Sequence, residues 1–228
     1  MFALAAPMLE TRLLADRVIF IDAEAMVVDK HAGLPVDAPR DGGISVESHL
    51  DMLRFGFKRP PLAVHRLDRD TSGCLLLARN PRAHKKFAAA FEAGTVEKIY
   101  LAVVEGQPVE DEGVVEMPLA KVSTRESGWR MVGDPKGKPS STHWQVIERS
   151  ATRALVRLTP ATGRTHQLRV HLASGVGTPI VGDAVYGMGG EPMLLHAASL
   201  TLARGEHPPI AATAPLPPSF AVAGFGHG

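Results

Sequence analysis

Apolar residues along this chain fall mostly in short runs of strand length, broken by Gly, Pro, Asp and Asn. Residues 18–21 and 26–30 read as two strands around a turn at 22–25. Residues 31–43 hold three Gly and two Pro and read as loop. Ser45 can cap a helix running to about Arg54, with Val46, Leu50 and Leu53 on one face. Pro60 and Pro61 end that unit. The runs 62–67 and 74–78 predict strands on either side of a polar segment, 68–73. Pro81 opens a second helix that reaches about Gly94, with Phe87 and Phe91 four residues apart. Residues 97–106 form a strand carrying Tyr100. Turn signals and weak periodicity over 107–140 predict an irregular hairpin or a substrate-facing excursion. Residues 142–149 and 154–159 alternate as strands do. Thr162 and Gly163 break the pattern, and 165–173 suits a short helix with Leu168 and Leu172 inward. Residues 194–202 read as a further strand, and the Pro- and Ala-rich tail from Pro208 as weakly structured.

The elements do not follow strict β–α–β alternation. They predict an α+β fold: a mixed, largely antiparallel sheet flanked by helices and loops. With 22 Gly and 18 Pro among 228 residues, a helical bundle is disfavoured. Hydrophobic content of 45% and charged content of 21% exclude general disorder. No repeat or low-complexity linker divides the chain, so one domain over residues 1–228 is expected.

Cys74 is the only cysteine. An intrachain disulfide and a Cys-based zinc site are therefore excluded, which favours a reducing compartment. No apolar stretch is long enough for a membrane span, and residues 1–8 lack the basic leading region of a signal peptide. The cytoplasm is the expected location.

Net charge is +1, but the total hides an asymmetry. Residues 1–53 carry 4 basic and 9 acidic side chains, residues 54–98 carry 10 and 4, and the remainder balances at 11 and 11. A local basic surface suits a phosphate-bearing partner, although a charge run can equally be a solvated face.

Two polar segments between apolar runs can carry chemistry. In His65-Arg66-Leu67-Asp68-Arg69-Asp70-Thr71-Ser72-Gly73, a carboxylate with arginine neighbours stays ionised and can serve as base or nucleophile. An Asx turn with exposed ion pairs explains the same residues without chemistry. The second segment runs from Thr162 to His171 and holds Arg164, His166, Gln167 and Arg169. On a helix, Arg164 and Leu168 would share one side, and Gln167 and His171 another. His166 and His171 are five apart, unlike a helical zinc pair, and no Cys or carboxylate completes a site, so no metal is expected.

These residues carry a resemblance. HRLDRDTSG at 65–73 and GRTHQLRVH at 163–171 resemble the two signatures of the RluA family of RNA pseudouridine synthases. Lys98-Ile99-Tyr100, PIVGD at 179–183, Tyr186-Gly187 and LLHA at 194–197 match further elements in order and spacing. The similarity spans roughly Val18 to Pro217. It departs at Lys30-His31-Ala32-Gly33, where the family usually has Pro in the place of His31. Room for the N-terminal RNA-binding domain of longer relatives is lacking, so the chain resembles the short, single-domain form.

The resemblance implies the pseudouridine synthase catalytic fold and isomerisation of uridine to pseudouridine in structured ribosomal or transfer RNA, with no cofactor. It implies Asp68 as the essential carboxylate, nucleophile or base, with Arg164 pairing it and Tyr100 stacking on the uracil. Arg66 would fill the gap left by a flipped uridine, and Leu195 would form the apolar floor opposite Tyr100. His65, Arg69, Thr71, His166 and Arg169 would hold the motifs together or contact phosphate. Arg79, Arg82, Lys85 and Lys86 are candidates for an RNA track. A monomer that engages neither membrane nor DNA is expected. Two alternatives stand beside this. Asp68-x-Asp70 is similar to the aspartyl-phosphatase motif, although Ser72 takes the Thr position and no paired downstream acids follow to hold magnesium. An RNA-binding protein without catalysis would bind and release no product.

Overall fold

A computed structural model describes residues 14–39, 42–125 and 128–226. The expectations for residues 1–8 and for part of the 31–43 loop lie outside the described residues. In chain order the first strands are β1 Val18–Ile21, β2 Ala25–Lys30, β3 Leu62–Ala63, β4 Ser72–Ala78, β5 Glu97–Glu105 and β6 Glu112–Glu116. There follow β7 Leu119–Thr124, β8 Gly128–Gly133, β9 Ser141–Arg149, β10 Arg153–Pro160, β11 Leu195–Arg204 and β12 His207–Thr213. Three helices join them: α1 Pro81–Glu92, α2 Gln167–Val170 and α3 Pro218–Val222. Every strand pair below is antiparallel, as the α+β reading expects. The chain forms two compact units, Met1–Glu97 with Ala197–Pro215 and Lys98–His196 with Leu216–Gly228.

In the first unit β2 lies between β1 and β4, β3 adds to β4, and β12 pairs β11. β2 and β4 are buried along their whole length, and their apolar stretches, residues 25–28 and 74–78, run unbroken rather than alternating. Val27, Cys74, Leu76, Phe87, Leu200, Leu202 and Ile210 share one core. α1 begins where expected: Asn80 caps it by accepting from the Ala83 amide at 2.9 Å, and Pro81 follows at N1. Residues 47–53 form a 3₁₀ helix instead of an α-helix. Ser45 Oγ still accepts the Ser48 amide at 3.1 Å, and Val46, Leu50 and Leu53 are buried as predicted.

Two strand expectations are corrected here. The run at 62–67 is a strand only over Leu62–Ala63. The Leu76 amide of β4, which a longer β3 would engage through a backbone carbonyl, instead donates to His65 Nε2 at 3.0 Å, so the ladder stops. The tail from Pro208 is not weakly structured: β12 pairs Ala212 with Leu200 and Ile210 with Leu202. Its two prolines mask a strand that tolerates them because it lies at an edge.

The second unit is built on the strand order β5–β10–β9–β6. β5 alternates as a two-sided strand should. Ala102 and Val104 join Trp144, Val156, Leu158, Leu168, Leu172 and Leu195, while Val103 joins Leu155, Val181, Leu194, Phe220 and Phe225. The stretch 107–140 is more regular than predicted, holding β6 and the β7–β8 hairpin. α2 starts at Gln167 rather than Thr165 and continues as one π-helical turn, His171–Val176. The delayed start follows from His166, whose φ of 53° is left-handed and cannot belong to the helix. Among the described residues no helix is long and apolar enough to cross a membrane.

Candidate active site

Each unit carries one of the two signature segments. In the first unit, residues 64–71 form an irregular connection between β3 and β4. A turn places the Asp68 carbonyl 3.1 Å from the Thr71 amide, with Thr71 and Leu67 buried and Asp68 half-buried. The next residue is fixed from below. The Arg69 carbonyl accepts from the Gly33 amide at 2.9 Å and from Lys30 Nζ at 2.9 Å. Lys30 is fully buried, and its ammonium also donates to the carbonyls of Leu34 at 2.8 Å and His31 at 3.0 Å. Burial pushes its pKa down to about 7, against the pull of Asp70, Asp68 and Asp29. The His31 loop and the Asp68 turn thus share one buried cation, and the missing proline leaves that link intact.

The side chains of this segment divide. The His65 ring stacks on Phe91 of α1, centroids 4.4 Å apart, and holds the Leu76 amide. It is a strut of the motif. Arg66 is exposed and pairs with Asp37 at 2.6 Å, and Arg69 pairs with Asp70 at 3.1 Å. Arg66 and Asp68 do not lie on a strand, so alternation does not put them on one face. Gly73 closes the segment for a steric reason. Its φ is 105°, and a Cβ there would lie 2.2 Å from the Ala197 carbonyl oxygen on β11.

In the second unit, Tyr100 lies on β5 opposite Leu158 and packs, half-buried, against the cluster that contains Leu195. Those two expected neighbours therefore belong to one apolar wall. Arg164 is exposed in the turn before α2. Its amide donates to Gln167 Oε1 at 2.9 Å and its Nε to the Pro139 carbonyl at 3.1 Å. A shallow recess beside it is lined by Glu116, Pro118, Pro139, Ser140, Ser141 and Thr162.

The rest of the second signature is structural in its contacts. Buried Gln167 also accepts from Thr162 Oγ1 at 2.7 Å and donates to the Ser141 carbonyl at 3.0 Å and Thr142 Oγ1 at 2.9 Å. His171 meets the same Thr142 hydroxyl at 2.9 Å, so Gln167 and His171 do share a side. Burial lowers the His171 pKa, partly offset by the Met117 carbonyl. Arg169 is buried and donates twice to Asp183, at 2.7 and 2.8 Å. Burial opposes the Asp183 charge, but Arg169 and the Val185 and Tyr186 amides outweigh it and hold its carboxyl below the usual range. The left-handed His166 is gripped by Tyr186, whose hydroxyl lies 2.9 Å from Nδ1, and by the Trp129 ring at 5.0 Å. The Met131 amide donates to that hydroxyl at 2.9 Å.

Sequence reasoning passed over Lys30 as a support of the Asp68 turn. The available signal was a lysine ending a strand, Ala25–Lys30, whose first four residues are apolar and which is buried throughout, where a charge is tolerated only when hydrogen-bonded. It also passed over Trp129, which stands in the stretch that lacked periodicity.

The chain matches the RNA pseudouridylate synthase family over residues 24–174. It is 56% identical over 217 residues to an uncharacterised RNA pseudouridine synthase of Zymomonas mobilis, covering 93% of this chain and 99% of that protein. It is 36% identical over 180 residues to ribosomal large subunit pseudouridine synthase D of the same organism. That match covers 75% of this chain and 55% of the relative, about half its length. Among solved structures it resembles human RNA pseudouridylate synthase domain containing 4, with a TM-score of 0.79, 26% identity and 93% of each chain covered.

Proposed function

The chain belongs to the RNA pseudouridylate synthase family, and on that premise we propose that it isomerises specific uridines in structured ribosomal or transfer RNA, with Asp68 as the reacting carboxylate. The single observation that carries this assignment is the Asp68 turn. A half-buried carboxylate stands on backbone that Lys30 and Gly33 fix at the adjacent carbonyl. A group that must meet a sugar carbon needs such positioning.

The reaction balances without any co-reactant. The bond from the ribose to the base nitrogen breaks, the uracil turns, and a bond from the ribose to carbon 5 forms. One proton leaves carbon 5 and one is gained at the freed nitrogen. Asp68 acts on the ribose as nucleophile or base. Tyr100 offers a flat face for the uracil and a hydroxyl for proton transfer. Arg164 is the exposed cation that the second signature offers to the reaction, and Arg66 stabilises the RNA once the uridine has left its stack. The whole chain serves as one catalytic domain, a monomer working in the cytoplasm.

Asp68→Asn keeps the size of the side chain and removes its chemistry. Pseudouridine formation should fall by about a thousandfold or more, roughly 4 kcal/mol of barrier, while RNA binding stays near wild type. Turnover within about tenfold of wild type would remove Asp68 from the role.

A further inference from the structure

The positive charge of this chain is concentrated from Arg54 to Lys86, where nine Arg or Lys face two Asp in the sequence. The structure sorts those nine. Arg54 pairs with Asp51, Arg66 with Asp37 and Arg69 with Asp70. Arg79, expected on the RNA track, is buried. Its guanidinium donates to the carbonyls of Asp22, Arg54 and Phe55. The remaining five, Lys58, Arg59, Arg82, Lys85 and Lys86, are exposed and make no ion pair among the described residues.

The loop and the helix that carry these five are tied together in the first unit. Arg79 directly precedes the cap of α1 and grips the loop that carries Lys58 and Arg59, lying 3.8 Å over the Phe57 ring. One turn on, His84 Nε2 meets the Ala63 carbonyl at 3.0 Å, which holds the end of the same loop against the helix. Arg82, Lys85 and Lys86 follow helical spacing on the exposed side of α1, opposite buried Ala83 and Phe87. Beside them Phe55 and Phe57 are 49% and 37% exposed. Phe55 has a φ of 40°, a left-handed conformation that costs energy for an aromatic residue. At this position a strained backbone and a half-exposed aromatic ring coincide.

We propose that this surface is a second RNA-contacting site, taking an unpaired stretch of RNA outside the target uridine. Its phosphates run along Lys58, Arg59, Arg82, Lys85 and Lys86, and an unstacked base lies on Phe55. Cations interleaved with exposed rings are the chemistry of single-strand binding. The apolar face of α1 is buried, so the helix cannot lie on a membrane by that face. The inference rests on the RNA-isomerase reading for its choice of partner.

The test uses an oligouridine of about 20 nucleotides, a blunt hairpin lacking single-stranded ends, and vesicles of anionic phospholipid. Wild-type protein should bind the oligouridine with steep salt dependence and in preference to both the hairpin and the vesicles. Replacing Lys58, Arg59, Lys85 and Lys86 together by Gln should weaken oligouridine binding by about tenfold at moderate salt. The log–log salt slope should fall by about 3, near 0.7 for each phosphate that is no longer neutralised. Phe55→Ala should weaken it severalfold, and Phe55→Trp should restore it. Unchanged affinity and slope in the quadruple variant, or preference of the wild type for the hairpin or the vesicles, would overturn the proposal. Pseudouridine formation in cellular RNA is measured separately. Failure of the isomerase reading shows there as absent product from the wild type itself, whatever the binding result.

Discussion

The two signature segments look alike in sequence, each a short polar stretch rich in Arg and His between apolar runs, yet they are built in opposite ways. In residues 65–73 the backbone is fixed and the arginine side chains are left outside: buried Lys30 holds the Arg69 carbonyl, while Arg66 and Arg69 reach exposed carboxylates. In residues 163–171 the side chains themselves are the scaffold. Gln167, Arg169 and His171 are buried and hydrogen-bonded, while Arg164 is an exposed cation. Charge in a motif is therefore not a measure of its contact with substrate. Burial and the partner atoms decide which cation positions the chain and which can meet RNA.

The largest effect that would break this contrast is on stability. Arg169→Met removes the side-chain cation bonded to a fully buried carboxylate, that of Asp183. Truncating one partner of such a pair costs about 3–5 kcal/mol. Arg69→Met removes a partner from a pair that is 67% and 47% exposed, and should cost about 0–1 kcal/mol. Chemical denaturation of the two variants measures the difference. Equal losses would mean that the two segments are not built differently.

A pH-dependent effect tests the cation beneath the Asp68 turn. The folded-state pKa of Lys30 is about 7, against an ordinary value of 10.5. Between these limits the unfolded chain binds the extra proton, so the contribution of this group to stability rises with pH through the window. Below about 7 both states are protonated and the slope vanishes. The rise is at most about 1.4 kcal/mol per pH unit. Wild type should therefore gain stability relative to Lys30→Met as the pH is raised from about 7 toward 10.5. Parallel curves would show that Lys30 is not held in a desolvated site.

Much of the frame was legible because the physical signal was local. The cap at Ser45, the helix opened by Pro81, the apolar runs of β2 and β4, and the spacing of Gln167 and His171 are all set by near neighbours. Where the signal lay far along the chain, reading failed. β3 ends early because the His65 side chain takes an amide of β4, eleven residues away. β12 exists despite Pro208 and Pro209 because Leu200 and Leu202 pair with it. The same holds for the site. As candidates, Asp68, Tyr100 and Arg164 stand out through their motifs, whereas the burial of Arg79 and Arg169 depends on carbonyls and a carboxylate brought in by folding.

Arg66 gives the smallest effect on stability and the sharpest separation of roles. Its pair with Asp37 is 76% and 47% exposed, so breaking it should shift stability by less than about 1 kcal/mol. Any larger effect on catalysis then belongs to the RNA. Drawing a stacked uridine out of a helix costs a few kcal/mol, and less when it is already unpaired. If Arg66 offsets that cost, Arg66→Ala should slow a uridine held in a folded stem-loop far more than one in a flexible strand. A contact made only to phosphate predicts the same loss on both. Asp37→Asn supplies a control, because it frees Arg66 without removing it and should leave both rates near wild type. Single-turnover rates at saturating RNA compare the two substrates. Equal losses in Arg66→Ala would assign Arg66 to phosphate, and the first signature would then act on the target uridine through Asp68 without help from its neighbouring arginine.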